Sequence, residues 1–129
     1  MGLPRIVVAD DFKAFADACK SLLEPDFDVV ATVHSGDAAL EAVRDQDPDI
    51  LVLDVSMPGM SAIDLTREIA RVGARAKVVM LSFHRHPAII EQAFAAGALG
   101  YVSKVRMARD LLPAVRAALT GETFRSPGP

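Results

Sequence analysis

Five short runs of mostly apolar, β-branched residues recur along the chain, and they constrain its fold more than any other feature. Four of the five are almost continuously apolar, which is typical of strands covered on both faces of a sheet. The second run alternates weakly in polarity, which indicates a strand near the edge of the sheet. The runs are Arg5–Asp10, Asp28–His34, Asp49–Asp54, Lys77–Ser82 and Gly100–Ser103.

Segments with helical periodicity separate and follow these runs. Ser61 with Asp64 three residues later fits a capping box at the start of the third segment. Pro25 and Gly97 are expected to end the first and fourth helices. The apolar stripes fall in Phe12–Leu23, at Leu40 and Val43, after Ser61, in Ile89–Phe94 and in Leu111–Leu119.

This alternation predicts an α/β fold, because parallel strands are joined by helical crossovers that lie on both faces of a sheet. We therefore expect a doubly wound, five-stranded parallel sheet. After Thr120 the periodic pattern stops. Residues 1–120 are accordingly predicted to form one domain, and residues 121–129 a linker or tail.

The composition excludes several classes of protein. The longest apolar run, Ala93–Val102, is much shorter than the roughly 20 residues that cross a bilayer. The N-terminal segment lacks the basic and apolar pattern of a signal peptide. Cys19 is the only cysteine, so no internal disulfide can form, and the net charge of −3 provides no broad basic surface for nucleic acid. A cytoplasmic domain without membrane contact is expected.

Chemically reactive residues stand where four of the predicted strands end. Asp10 and Asp11 follow the first strand, Asp54 ends the third, Ser82 ends the fourth and Lys104 follows the fifth. In an open α/β sheet, ligands bind outside the carboxyl ends of the strands. The sequence therefore predicts that three carboxylates, one hydroxyl and one ammonium group converge at this edge.

Three neighbouring carboxylates repel one another, and a bound cation would offset this repulsion. Mg²⁺ suits oxygen ligands and usually retains several waters. Beside such an ion, one carboxylate can attack a phosphoryl group and form an aspartyl-phosphate. An ammonium group and a hydroxyl are suited to stabilise the charge on the transferred group.

The residues, in this order and spacing, resemble the receiver domain of two-component response regulators over residues 3–120. The resemblance implies a flavodoxin-like strand order 2-1-3-4-5 and a histidine kinase as phosphodonor. The matching pieces are Asp10-Asp11, Asp54-x-x-Met57-Pro58-Gly59, Ser82 and Tyr101-x-x-Lys104.

The same resemblance implies a role for each site residue. It implies a regulatory domain that catalyses only its own phosphorylation and dephosphorylation. The implied roles are Asp54 as phosphoacceptor, Asp10, Asp11, Asp54 and the Ser56 carbonyl as Mg²⁺ ligands, Lys104 as phosphate partner, and Ser82 with Tyr101 as a switch pair.

The subtype resembles the NarL/FixJ kind, in which a LuxR-type helix-turn-helix domain follows the receiver. DNA would then be contacted only through a C-terminal domain absent from this chain. The resemblance also allows a homodimer to form on phosphorylation. The sequence departs from the family pattern at Ser61-Ala62, where Asp-Gly is usual, and at Val105, where proline is common. The loop His84-Arg85-His86 is also unusual.

Three other functions fit parts of the pattern. A haloacid-dehalogenase-like phosphatase carries a second acid two residues after its nucleophile, where this chain has Ser56. A flavodoxin must bind a flavin phosphate in its first loop, where Asp10 and Asp11 would repel an anion. A degenerate receiver that acts only as a protein-binding module would retain the fold without phosphorylation.

Overall fold

Strands and helices alternate along residues 2–127, the part of the chain that the computed structural model describes. Residues 1, 128 and 129, the outer ends of the predicted domain and tail, lie outside this part. The elements are β1 (Arg5–Ala9), α1 (Lys13–Leu23), β2 (Asp28–Val33), α2 (Gly36–Gln46), β3 (Ile50–Asp54), α3 (Ala62–Arg71), β4 (Lys77–Ser82), α4 (Pro87–Ala96), β5 (Gly100–Ser103), a 3₁₀ turn (Lys104–Arg106), α5 (Met107–Leu119) and β6 (Phe124–Arg125).

The strands form one parallel sheet in the order β2-β1-β3-β4-β5-β6. This confirms the doubly wound fold and the predicted order of the first five strands, with β2 at an edge. The chain changes direction across the sheet between β1 and β3, and such a switch point opens a crevice at the carboxyl ends of the strands.

The prediction of five strands is wrong by one, because β6 follows α5 and pairs with β5. Gly121 has a φ of +79°, a left-handed conformation that glycine adopts without steric cost, and the chain then turns back along the sheet. The Phe124 amide donates to the Leu99 carbonyl at 2.8 Å, and the Ser126 amide donates to the Tyr101 carbonyl at 2.9 Å. These bonds cover part of the edge that β5 would otherwise expose.

Helices cover both faces of the sheet. Alternate residues of the central strands point to opposite sides, so each strand contributes to two apolar clusters. One cluster joins Val7 and Leu51 to α2, α3 and α4, and the other joins Ile6 and Val52 to α1 and α5. Burial on both sides explains why four of the strand sequences are almost continuously apolar.

Ser61 and Gly97 lie at helix ends as predicted, and Ser35 provides a further cap. The Ser61 hydroxyl accepts a hydrogen bond from the Asp64 amide at 3.1 Å, and Ser35 caps α2 in the same way through the Ala38 amide. Gly97 ends α4 with a φ of +117°. No helix within residues 2–127 has the length and apolar character needed to span a membrane.

Candidate functional site

The carboxyl edge of the sheet brings the predicted residues together. Asp54 ends β3, the strand between β1 and β4, and Asp10 and Asp11 follow β1 directly. Ser82 ends β4, next to the residue that pairs with Asp54 across the sheet. Lys104 opens the 3₁₀ turn after β5 and reaches back toward β3 and β1.

Three carboxylates form a tight cluster at this edge. Asp10, Asp11 and Asp54 each offer one oxygen, and these oxygens lie within 4.8 Å of one another. Asp10 and Asp54 are buried, whereas Asp11 is exposed. The Phe12 amide donates to Asp10 Oδ1 at 2.9 Å and so fixes the orientation of that carboxylate.

The Lys104 ammonium group lies between two of these acids. Its Nζ atom is 2.8 Å from Asp10 Oδ2 and 3.3 Å from Asp54 Oδ1, and its side chain is only 5% exposed. The contact with Asp10 Oδ2 lacks hydrogen-bond geometry, so this buried oxygen has an ionic neighbour but no hydrogen-bond partner. One ammonium group among three carboxylates leaves an excess of negative charge.

Asp54 has a perturbed acidity. Burial raises the pKa of its carboxyl above the usual value, and the charge of Asp10 raises it further. A hydrogen bond from the Ser56 amide to Asp54 Oδ1, at 3.2 Å, and the charge of Lys104 oppose this increase in the pKa. A carboxylate that is costly to ionise in the free protein would gain from a nearby cation.

The donor set fits a hard divalent cation. Mg²⁺ prefers carboxylate and carbonyl oxygens together with water, and the cluster supplies oxygens from two buried acids and one exposed acid. The buried Asp10 Oδ2, which lacks a hydrogen bond, is consistent with an oxygen that serves a metal. Ser56 lines the same pocket as Asp11 and Asp54, which places it among the candidate ligands.

The loop after Asp54 packs closely against the start of α2. The Gly36 amide donates to the Pro58 carbonyl at 3.1 Å, and a Cβ atom on Gly36 would lie only 2.1 Å from the Met60 carbonyl oxygen. Any other residue at position 36 would therefore displace this loop. The close approach helps to fix the segment that includes Ser56.

Ser82 and Tyr101 are linked through the backbone of His84. The His84 amide donates to Ser82 Oγ at 2.9 Å, and Tyr101 Oη donates to the His84 carbonyl at 3.1 Å. Tyr101 is fully buried, so its ring already faces inward in this structure. Both side chains therefore bind the backbone of the loop that follows β4.

Three phenylalanines at the mouth of the site were not predicted as functional residues. The periodic pattern placed Phe12 and Phe15 on the apolar stripe of α1, but Phe12 precedes the helix and is 60% exposed. Phe15 and Phe83 lie near Lys104 and line the same pocket of about 440 Å³ as Asp54. Their positions depend on tertiary packing, and no sequence signal distinguishes them from core residues.

A buried polar network around Ser126 was also missed. Ser126 Oγ donates to Asp110 Oδ2 at 2.7 Å and accepts a hydrogen bond from the Ser103 amide at 3.0 Å. Burial would raise the pKa of Asp110, but the hydrogen bonds from Ser126 and Arg106 outweigh burial and hold that pKa below its usual value. Arg85, in the loop after β4, donates to the Ser126 carbonyl at 2.6 Å.

Comparison with known proteins identifies the family to which the chain belongs. Residues 6–116 match the family described as the response regulator receiver domain. The transcriptional regulatory protein DegU of Brevibacillus brevis is 32% identical over 125 residues, which cover 95% of this chain and 53% of DegU. The chain thus spans about half the length of this curated relative.

Solved structures agree with the sequence comparison. A LuxR-family two-component response regulator from Aurantimonas sp. SI85-9A1 superposes with a TM-score of 0.90 at 33% identity, covering 97% of this chain and 91% of that chain. The isolated REC domain of RcsB from Salmonella enterica serovar Typhimurium, solved with the phosphomimetic BeF3-, gives a TM-score of 0.87 at 25% identity, covering 96% and 94%. The chain therefore belongs to the family of response regulator receiver domains and is related to transcriptional regulators.

Proposed function

We propose that this receiver domain is phosphorylated on Asp54 in a Mg²⁺-dependent reaction, with a histidine kinase as the phosphodonor. The observation that carries the proposal is the position of the Asp54 carboxylate. It lines an open pocket of about 440 Å³ together with Asp11 and Lys104. The Salmonella relative, whose structure was solved with a phosphomimetic, supports the same chemistry by similarity.

Asp54 supplies the nucleophile. Its contacts within residues 2–127 fall on Oδ1, which accepts from the Ser56 amide and pairs with Lys104, so Oδ2 is the oxygen available for attack. A new O–P bond forms at Oδ2 while the P–N bond of a phosphohistidine breaks, and the leaving imidazole takes up a proton. The backbone amide at Ser56 keeps the carboxylate oriented during the attack.

Asp10, Asp11, Asp54 and the Ser56 carbonyl are the residues that would hold Mg²⁺. When bound, the ion would offset the negative charge of the acids and of the phosphoryl oxygens. Asp10 is held in place by the Phe12 amide, and Asp11 is exposed at the rim. The buried Asp10 would give the ion a fixed ligand, and the exposed Asp11 would leave the other side of the ion open to water.

Lys104 and Ser82 would contact the phosphoryl oxygens once the group is bonded to Asp54. After transfer, close to two negative charges lie beside the Lys104 ammonium, which is already directed at Asp54 from 3.3 Å. A Ser82 hydroxyl that turns toward the phosphoryl oxygens gives up its bond from the His84 amide. The loop that holds Tyr101 then rearranges, and the surface formed by α4, β5 and α5 changes with it.

We propose a transcriptional output for the complete protein. Matching relatives such as DegU and UhpA are named transcriptional regulatory proteins, and about half of the length of DegU lies outside the match. DNA contact would come from a domain C-terminal to the receiver, and phosphorylation would favour a homodimer through the changed surface. The cytoplasm, where a kinase and DNA are both available, is the proposed location.

Intact mass measured after incubation with acetyl phosphate tests the chemistry. The wild type with Mg²⁺ should gain one phosphoryl group, and EDTA should prevent the gain. Asp54→Asn should abolish labelling because an amide oxygen is a poor nucleophile, whereas the control Asp45→Asn, at an exposed position on α2, should be labelled normally. Normal labelling of Asp54→Asn would disprove the site. Absence of both labelling and Mg²⁺ binding in the wild type would favour the degenerate receiver.

A further inference from the structure

The Lys104 ammonium group is bordered by aromatic rings as well as by acids. Its Nζ atom lies 4.5 Å from the centroid of the Phe15 ring and 5.3 Å from that of Phe83. The two rings pack edge to face with centroids 5.1 Å apart, and Phe12 packs against Phe15 at 5.6 Å. We call Phe15 and Phe83 the aromatic clamp.

The contacts of the clamp are electrostatic as well as apolar. An aromatic face carries negative charge density and attracts a cation within about 6 Å of its centroid, more strongly when the cation is desolvated. The Lys104 side chain is 5% exposed, so water screens the interaction little. Phe83 remains 53% exposed at the mouth of the pocket, which core packing alone does not explain.

The acids that hold Lys104 in the metal-free protein are also the proposed metal ligands. Asp10 and Asp54 would share their negative charge with Mg²⁺, and this weakens their hold on the ammonium group. Aromatic rings do not compete for a hard cation that prefers oxygen ligands. The rings would therefore keep Lys104 beside Asp54 when the site is loaded for reaction.

We propose that Phe15 and Phe83 are positioning residues that hold the Lys104 ammonium group ready to meet the incoming phosphoryl oxygens. This inference rests on the proposed phosphorylation of Asp54. Lys104 must exchange its contact with Asp54 for a contact with a phosphoryl oxygen during the reaction. The ammonium group can shift a short distance across the face of a ring and still keep its cation–π contact. The cation thus stays desolvated and close to the reacting atoms throughout the transfer.

Fluorinated phenylalanines at position 15 test the clamp with little change in shape. Fluorine withdraws charge from the ring face, so the rate of phosphorylation by acetyl phosphate at saturating Mg²⁺ should fall stepwise from one to three fluorines. Complete loss of a cation–π contact corresponds to a decrease of about 2- to 30-fold. The same series in Lys104→Met should show no trend, because the cation is absent. A series at Phe27, a buried ring in the apolar cluster that α1 and α5 cover, is the matched control and should be flat.

Phe83 provides a second variant that should fold readily because the side chain is half exposed. Phe83→Leu should lower the rate, and Phe83→Trp should restore it, since tryptophan is the strongest cation–π partner. A labelled wild type with a flat series at position 15, and equal rates for Phe83→Leu and Phe83→Trp, would overturn the clamp alone. A wild type that is never labelled would overturn the proposed phosphorylation, and the clamp with it.

Discussion

The Ser126→Ala substitution removes one hydroxyl from a fully buried position between β5 and α5. The hydroxyl accepts from the Ser103 amide and donates to Asp110 Oδ2. Without it, the buried Ser103 amide loses this partner, and an unsatisfied buried donor costs about 1–3 kcal/mol. Asp110 loses a short hydrogen bond but keeps the one from Arg106 at 2.8 Å, which limits the second loss to about 1 kcal/mol.

The two contributions together predict a decrease of about 2–4 kcal/mol in the free energy of unfolding. This is a large fraction of the roughly 5–15 kcal/mol that stabilises an ordinary domain. For a chain of this size it corresponds to a decrease of about 8–16 °C in the melting temperature. The substitution should therefore be visible without any functional assay.

Urea denaturation without Mg²⁺ measures the effect, with Ser21→Ala at an exposed position on α1 as the control. The control should change the free energy of unfolding by less than about 0.5 kcal/mol. An equally small change for Ser126→Ala would refute the assignment of the buried network.

A chain truncated after Thr120 tests the predicted domain boundary. If residues 121–129 are only a tail, the truncated chain should have the same free energy of unfolding as the full chain. The contacts of Ser126 instead predict a decrease in that free energy at least as large as the one caused by Ser126→Ala.

Three further predictions concern the site and its surroundings. Mg²⁺ at about 100 times its Kd should stabilise the wild type by about 2.7 kcal/mol in thermal melts. Asp11→Asn should need a higher Mg²⁺ concentration for the same stabilisation, and the metal-free variant should be as stable as the metal-free wild type. A melting temperature of the wild type that does not depend on Mg²⁺ would contradict the metal site. The pKa of Asp110 is lowered in the folded state, so its contribution to stability is present above the unfolded value of about 3.9 and is lost as the pH falls through the folded value. Urea titrations from pH 6 to 3 should therefore show a larger loss of stability in the wild type than in Asp110→Asn. Burial raises the pKa of Cys19 to about 12, so a thiol reagent at pH 8 should label it only after unfolding; rapid labelling of the native protein would show that α1 opens.

The sequence by itself determined the first five strands, the helices and the position of the reactive residues at the strand ends. Apolar runs mark strands covered on both faces, and the Ser61 cap and Gly97 termination are local signals that act within one or two turns of chain. The rule that sites lie at the carboxyl ends of parallel strands then placed Asp54 and Lys104 at one edge. These predictions succeeded because periodicity, capping and strand polarity need no knowledge of distant contacts.

Tertiary structure alone decided the features that depend on distant partners. Strand β6 has only two residues, too few for a periodic signal, and it exists because the free edge of β5 offers it hydrogen bonds. Ser126 is buried against Ser103 and Asp110, which lie 23 and 16 residues away in the chain. Only the folded structure brings these three residues together. The placement of Phe83 beside Lys104 likewise requires β4 and β5 to be adjacent. Burial and long-range packing set these positions, and no local pattern in the sequence encodes them.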